Sequence, residues 1–82
     1  MINRTEMNAS VAAAIRVGLD VNGMTQEELA RITGTTLRTV ARAVSGKGLP
    51  NIYNCYLFAD VLGTNLDDMI RHEPLRMGQD DD

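Results

Sequence analysis

Four basic side chains form the group in this sequence whose type and spacing point most clearly to a chemistry. They lie between residues 31 and 47, with no acidic residue among them: Arg31, Arg38, Arg42 and Lys47. Guanidinium and ammonium groups neutralise phosphates, and an arginine can also pair bidentately with the edge of a guanine. Because Arg38 and Arg42 are four residues apart, they share one side of a helix. The group predicts a polyanion partner, with chance clustering in a short chain as the alternative.

The charge of the whole chain points the other way. The 82 residues include eight Lys and Arg against eleven Asp and Glu, a formal net charge of −3. How charge is distributed matters more for a partner than its sum. Residues 48–82 carry two basic and seven acidic side chains, three of them in the final run Asp80–Asp82. The positive charge is therefore concentrated in the middle of the chain.

The sequence offers no set of residues that predicts catalysis. It has one histidine, His72, and one cysteine, Cys55, and no cluster of carboxylates at a predicted cleft. Acid–base catalysis, nucleophilic catalysis and metal binding each need several such groups close together. We therefore predict that the protein is not an enzyme and has no metal and no cofactor. Cys55 falls in an apolar helical pattern, which favours a buried, inert thiol.

The basic group lies within residues 25–46, whose pattern predicts a helix, a tight turn and a second helix. Thr25 can act as the N-cap of the first helix, and Glu28 three residues later completes a capping box. Acidic side chains in the first turn also suit the positive end of the helix dipole. The apolar side of this first helix is expected to consist of Leu29, Ala30 and Ile32.

The second helix of this stretch has two distinct sides. Gly34 falls where a helix often ends in a left-handed residue, Thr35 or Thr36 can cap the helix that follows, and Gly46 closes it. The apolar stripe comprises Val40 with Ala43 or Val44, and the other side carries Leu37, Arg38, Ala41 and Arg42. A helix-turn-helix of this kind can place its second helix in a DNA major groove. The alternative is a plain helical hairpin with solvated arginines.

Three further helices are predicted around this unit, at about residues 7–21, 50–62 and 66–72. Asn3, with Glu6 three positions later, or Thr5 can cap the first of them. Gly18 within it indicates close approach of another helix. Residues 47–50 form a Gly- and Pro-containing loop that either binds a phosphate or simply connects two helices.

The helix at 50–62 is apolar on two sides. Its inward stripe is expected to comprise Ile52, Cys55, Phe58 or Ala59, and Leu62, and a second stripe comprises Tyr53, Leu57 and Val61. A helix that is apolar on more than one side is buried on more than one side. In a chain this short, the second stripe is expected to contact another subunit or to seat the last helix.

The length of the chain and the five predicted helices indicate one all-α domain over residues 1–72, followed by an acidic, flexible tail at 73–82. A chain of 82 residues is the size of a single domain. No apolar run is long enough to span a bilayer, and the N-terminus lacks the pattern of a secretory signal. We therefore expect a cytoplasmic protein, associated with the nucleoid if it binds DNA.

With these elements placed, the chain resembles the phage-repressor and Cro family of helix-turn-helix proteins, the lambda-repressor-like (XRE-type) five-helix domain. The likeness runs from about Ile15 to Ile70. The matching residues are Ile15-Arg16, Gly23-Met24-Thr25-Gln26, Glu28-Leu29-Ala30, Gly34-Thr35-Thr36, Thr39-Val40, Ser45-Gly46-Lys47, Pro50, Phe58-Ala59, Leu62-Gly63 and Leu66-Asp67-Asp68. Together these motifs are fairly specific, whereas each alone is weak.

The resemblance implies a role for each matching position. Gln26 would bond a phosphate and brace the recognition helix, whose first residues would meet base edges. Arg42 would meet bases or phosphate, and Lys47 a phosphate. Where the family usually has a polar residue this chain has Leu37, which predicts apolar contact with thymine methyl groups. The predicted DNA-binding set is Gln26, Thr35, Thr36, Leu37, Arg38, Thr39, Arg42 and Lys47.

Two functions from different classes follow. The first is a sequence-specific DNA-binding transcriptional regulator that binds the major groove of an inverted-repeat operator as a homodimer. The predicted dimer contacts are Leu57, Val61, Leu66, Met69 and Ile70. The second, motivated by the acidic net charge and tail, is an antitoxin or other protein-interaction module with the same fold. No small-molecule ligand and no membrane partner is expected for either.

Overall fold

The computed structural model describes residues 2–72, which form five α-helices and no strand. The helices are α1 (Arg4–Asn22), α2 (Gln26–Thr33), α3 (Leu37–Val44), α4 (Ile52–Leu62) and α5 (Leu66–Arg71). The predicted all-α architecture, with the helix-turn-helix at α2 and α3, is confirmed. The predicted acidic tail at 73–82 lies outside the described residues. None of the described helices has the length and apolar content needed to cross a bilayer.

The first helix begins at the earlier of the two caps that the sequence offered, Asn3 and Thr5. Asn3 is its N-cap: the Glu6 N–H donates to Asn3 Oδ1 at 2.8 Å, and the Asn3 N–H donates to Glu6 Oε1 at 3.1 Å. This complete capping box satisfies two amide groups that the first turn leaves without helical partners. It extends α1 by three residues beyond the start predicted from apolar periodicity, because these first residues are exposed and contribute nothing to that periodicity.

The core lies where α1 packs against α3, α4 and α5, with α2 packed on α3 and α4. Its largest fully buried side chains are Ile15, Leu29, Val40, Phe58 and Met69. Each described helix contributes at least one buried residue, so no helix can be removed without opening the core. This interdependence is expected of so small a domain, whose buried apolar area is limited.

Gly18 lies at a close approach of α1 to α4. A Cβ built at this position would lie 3.0 Å from Leu62 Cδ1, tighter than ordinary van der Waals contact. The absence of a side chain therefore lets the two helices pack closely, as the sequence predicted.

Two residues assigned to inward stripes are exposed instead, and these assignments were wrong. In α2 the inward side runs through Leu29 and Ala30 to the half-buried Thr33, whose Oγ1 donates to the Leu29 carbonyl at 2.7 Å, and Ile32 falls outside it. Ile52 is 76% exposed because it is the first residue of α4, and the buried positions begin one turn later at Cys55.

Cys55 is buried, as predicted, and its thiol lies 3.5 Å from the Pro50 carbonyl oxygen. Burial raises the pKa of this thiol above its ordinary value, because the interior disfavours the charged thiolate. A thiol held in its neutral form is a poor nucleophile. Its environment therefore gives Cys55 a packing role.

Candidate nucleic-acid interface

The first helix of the central unit starts with a reciprocal cap. The Glu28 N–H donates to Thr25 Oγ1 at 3.1 Å, and the Thr25 N–H donates to Glu28 Oε1 at 2.9 Å. Gln26 is therefore the first residue of α2, and it is half-buried. This position puts the side-chain amide of Gln26 at the amino end of the helix, where the helix dipole favours an anion.

The turn between α2 and α3 is built by Gly34. Its φ of +75° is left-handed, a conformation that glycine adopts without strain. The Thr35 N–H donates to the Ala30 carbonyl at 2.9 Å and the Gly34 N–H to the Arg31 carbonyl at 3.3 Å, the pairing of a Schellman motif. The hydroxyls of Thr33 and Thr35 are 3.1 Å apart. The turn thereby satisfies its own backbone and fixes the direction in which α3 leaves.

Thr36 is the residue that caps α3. Its Oγ1 accepts from the Thr39 N–H at 3.1 Å, and the hydroxyls of Thr36 and Thr39 are 3.0 Å apart. Of the two residues that the sequence left open for this role, Thr36 has the side-chain bond, whereas Thr35 is half-buried in the turn. The amino end of α3 thus presents two hydroxyls beside its first exposed residues.

The two sides of α3 are separated as the sequence predicted. The side facing the core comprises Val40, Ala43 and Val44, and all three are buried. The opposite side is exposed along the whole helix and comprises Leu37, Arg38, Ala41 and Arg42. A large ligand can approach such a helix along its whole length, because one side is buried in the core and the other side is exposed.

The carboxyl end of α3 closes around Gly46, which has a φ of +74°. The Gly46 N–H donates to the Ala43 carbonyl and the Lys47 N–H to the Arg42 carbonyl, each at 3.2 Å. These bonds use both amides within the protein. Any contact that Lys47 makes with an anion therefore comes from its exposed ammonium group.

A groove of about 260 Å³ lies between α3 and the amino end of α4. Its polar lining comprises Thr39, Arg42, Asn51 and Asn54. The Arg42 guanidinium leans over the connecting loop, since a Cβ built at Gly48 would lie 3.2 Å from Arg42 Nη2. Asn54 was not predicted as a candidate contact from the sequence; its only signal there is that it is a polar residue in the first two turns of an otherwise apolar helix.

Among the described residues, no carboxylate forms a salt bridge with the cations of α3 and the loop after it. Within residues 2–72 the salt bridge is between Arg71 and Asp67 on α5, with 2.9 Å between Nε and Oδ1. That partner raises the pKa of Arg71 above its usual value. Arg38, Arg42 and Lys47 have no carboxylate partner in the same range. Their positive charge is therefore available to an anion.

All eight residues predicted to contact DNA lie on one continuous segment, from the start of α2 to the loop after α3. Five are exposed: Thr36, Leu37, Arg38, Arg42 and Lys47. The other three are half-buried: Gln26, Thr35 and Thr39. The described residues contain no group of three or more His, Cys, Asp or Glu able to hold a metal ion. Contact of the eight with DNA stays a prediction.

The residues predicted to form a dimer surface divide into two kinds. Four of them are half-buried, so part of each side chain is open to a partner: Leu57, Val61, Leu66 and Ile70. Met69 is the buried residue of α5, is 1% exposed and belongs to the core. Its side chain offers no surface to a second subunit in this conformation.

Comparison with known proteins gives one match to a family. A family model described as "Helix-turn-helix" matches residues 22–69, more than half of the chain. The matched segment begins at the end of α1 and contains α2, α3, α4 and most of α5. Comparisons with curated proteins and with solved structures give no match.

Proposed function

Because the chain belongs to the helix-turn-helix family, of the XRE type to which the lambda repressor and Cro belong, and is a DNA-binding regulator of that kind, we propose that it is a sequence-specific transcriptional regulator. It binds an inverted-repeat operator as a homodimer, with α3 in the major groove. The orientation of α3 in the major groove is inferred from the way that proteins of this family dock on DNA.

The observation that carries the proposal is the exposed side of α3. It combines two arginines on one side with a buried opposite side, and it lies in a segment from residue 31 to 47 that has no acidic residue. A helix can reach base edges only if its outer side chains are free of the core. The negative net charge does not oppose this, because most acidic residues lie on other elements.

The side chains divide between base edges and phosphates. Arg38, near the amino end of α3, is the proposed base-reading arginine, and the adjacent Leu37 supplies apolar contact to a thymine methyl group. Arg42 leans over the loop beside the amino end of α4, which favours a phosphate as its partner. Gln26 and Lys47 are the other proposed phosphate contacts, at the two ends of the unit.

The proposed homodimer follows from the small number of side chains that can read base edges in one subunit. One base-reading arginine on α3 discriminates too few base pairs for high specificity, since each good bidentate pair contributes about 1–3 kcal/mol. A two-fold dimer doubles the number of contacts and reads two half-sites about 34 Å apart. The surface for it comes from the last two helices, where Leu57, Val61, Leu66 and Ile70 are partly open and Met69 supports them from beneath.

One observation favours the second candidate, an antitoxin or protein-interaction module. Ile52, Tyr53 and Tyr56 expose large apolar surface on α4. A protein partner could bind there without any DNA.

DNA selection from a random pool tests the proposal. The expected result is enrichment of an inverted repeat, with affinity for the selected duplex falling steeply as salt rises, because phosphate contacts release counterions. If the selected pool contains no repeat and no duplex binds above background at low salt, the protein-interaction module takes its place. A protein partner bound through the apolar side of α4 would show little salt dependence.

A further inference from the structure

The exposed side of α3 is divided lengthwise into two stripes of different chemistry. Leu37 and Ala41, one helical turn apart, form the first, which we call the outer apolar stripe. Arg38 and Arg42 form the second, turned by about 100° around the helix axis because an α-helix has 3.6 residues per turn. All four residues are exposed. A ligand that lies along α3 therefore meets an apolar and a basic surface side by side.

Leu37 has no part in the core. It is 45% exposed, and the buried residues that α3 contributes are Val40, Ala43 and Val44. A single exposed leucine is common on protein surfaces and by itself indicates nothing. Leu37 differs because it is the large apolar side chain on the side of α3 that the proposed function places against base edges. What surrounds it therefore decides what it contacts.

The polar groups nearest to Leu37 along the chain are already bonded within the protein. Thr36 Oγ1 accepts from the Thr39 N–H at 3.1 Å, and the hydroxyls of these two threonines are 3.0 Å apart. These bonds use part of the hydrogen-bonding capacity of both hydroxyls. At the amino end of α3, Leu37 and Arg38 are therefore the side chains that remain entirely open to a ligand.

The charges around the outer apolar stripe indicate what kind of ligand it meets. Residues 31–47 carry four basic side chains and no acidic one, and within residues 2–72 no carboxylate forms a salt bridge with Arg38 or Arg42. A purely apolar partner would cover these charges without neutralising them, at a cost in free energy. A DNA duplex offers both phosphates and, along the pyrimidine edges of its major groove, methyl groups.

We propose that Leu37 recognises the C5-methyl group of a pyrimidine beside the guanine that Arg38 reads, so that 5-methylcytosine is accepted in place of thymine. The C5-methyl is the apolar group that thymine presents in the major groove. Methylation of cytosine at C5 puts the same group at the same ring position. The inference rests on the proposed function, and it adds the chemical group that is read and a response to methylated DNA.

Duplexes that differ by a single methyl group test the inference. In one half-site of the repeat selected from the random pool, each thymine is replaced in turn by uracil, which removes the methyl and keeps every hydrogen-bonding group. At one position the affinity of the unchanged chain is expected to fall about fourfold, as the burial of one methyl group predicts. Leu37→Ala is expected to bind the thymine and uracil duplexes equally there. Fluorescence anisotropy titrations measure both.

Leu49→Ala is the matched control. Leu49 is also an exposed leucine, at 43%, but it lies in the loop after α3 rather than on the helix. This variant is expected to keep the fourfold preference for thymine, even if its overall affinity changes. Leu37→Ala is expected to fold as the unchanged chain does, because it replaces an exposed helical residue by one of higher helix propensity. Circular dichroism spectra and melting curves check the fold of both variants.

A second pair of duplexes separates methylated cytosine from thymine as the source of the methyl group. The sensitive thymine is replaced by cytosine, with guanine opposite, and the duplex is compared with its C5-methylated form. The unchanged chain is expected to bind the methylated duplex about fourfold more tightly, and Leu37→Ala to bind both alike. Equal binding of the two duplexes by the unchanged chain would overturn the acceptance of 5-methylcytosine.

The outcomes separate this inference from the proposed function. If the unchanged chain prefers the repeat but binds thymine and uracil equally at every position, or if the selected half-sites contain no thymine, the inference is overturned and the proposed function stands. A preference for the methyl group that Leu37→Ala retains also overturns it, because another residue then makes the contact. If the unchanged chain binds no selected duplex, the proposed function and this inference are refuted together.

Discussion

Arg38 and Lys47 are both exposed cations, but Arg38 lies in a helix and Lys47 in the loop that follows it. Arg38 sits in the first turn of α3 next to the Thr36 cap, so its guanidinium leaves a rigid helical position. Lys47 follows the closing turn of that helix, and its backbone amide is bound to the Arg42 carbonyl. A planar guanidinium can recognise a base edge through two hydrogen bonds, whereas an ammonium is a point charge suited to phosphate. The two positions therefore predict different kinds of DNA contact.

Replacing each cation separates these contacts. Arg38→Ala is expected to weaken operator binding by about 1–3 kcal/mol and to relax the preference at one base pair. Lys47→Ala is expected to weaken operator and random duplexes nearly equally and to reduce the salt slope by about one. Fluorescence anisotropy titrations with both duplexes at several salt concentrations measure these effects.

Arg71→Ala serves as the control for both, because it removes an exposed cation that is already paired with Asp67 on α5. Its DNA affinity should match that of the unchanged chain. Operator binding that neither Arg38→Ala nor Lys47→Ala alters would show that α3 does not carry the DNA-binding face.

At the scale of the helices, local signals were readable where they act within a few residues. The Thr25–Glu28 capping box, the Gly34 turn and the two sides of α3 follow from chemistry between neighbours, and all three are present in the structure. What failed was the choice between adjacent apolar residues at helix edges. Ile32 and Ile52 have the right type and nearly the right spacing, but which apolar residue is covered depends on where other helices cross, and that is not local.

The same limit applies to the candidate site. The exposed side of α3 could be predicted because its own periodicity defines it. The leaning of Arg42 over the loop and the nearby Asn54 amide could not, since they arise from the path of the chain between α3 and α4. Met69 likewise has the apolar character of an interface residue, yet α1 and α4 bury it within one subunit.

The cap of α2 should have a measurable effect on stability. Thr25→Ala removes the hydroxyl that accepts the Glu28 N–H, and the free energy of unfolding is expected to fall by about 1 kcal/mol. For a domain of this size that corresponds to a Tm lower by about 4–8 °C. Thermal denaturation followed by circular dichroism is the measurement.

Thr5→Ala is the matched control, since Thr5 is an exposed threonine within the first turn of α1 rather than its cap. Alanine also has the higher helix propensity, so this variant is expected to keep or slightly raise the Tm. A pair of variants that melt together would mean that the capping box contributes little to the folded state.

At the scale of the whole molecule, charge and apolar surface occupy different places. The basic segment follows α3 and its loop, exposed apolar side chains mark the first turns of α4, and acidic residues mark the first turns of α2 and α5. Such a separation orients a chain of net charge −3 toward DNA through one edge only. In the proposed homodimer, this separation allows one subunit to hold a duplex and a second copy at the same time.

A rigid dimer makes the spacing of half-sites a sharp variable. Inserting five base pairs between the two halves of the selected repeat turns one half-site to the opposite side of the duplex, because B-DNA repeats about every 10–10.5 base pairs. The affinity is expected to fall to that of a single half-site. Electrophoretic mobility shifts with the two duplexes measure the change.

Five base pairs added outside the repeat form the control duplex, which should bind as the original does. If the internal insertion also leaves affinity unchanged, the two copies are not rigidly joined, and each reads its half-site independently.

The separation of α3 into a buried side and an exposed side has a consequence for how the sequence of this protein can change. Val40, Ala43 and Val44 anchor the helix, while its outer positions touch nothing in the core. Mutations at those outer positions can accumulate without loss of folding, so under the proposed reading of DNA by α3 a new target sequence can be acquired one substitution at a time. For the same reason, exchanging the few outer residues of α3 between two homologues is expected to give one protein the target sequence of the other.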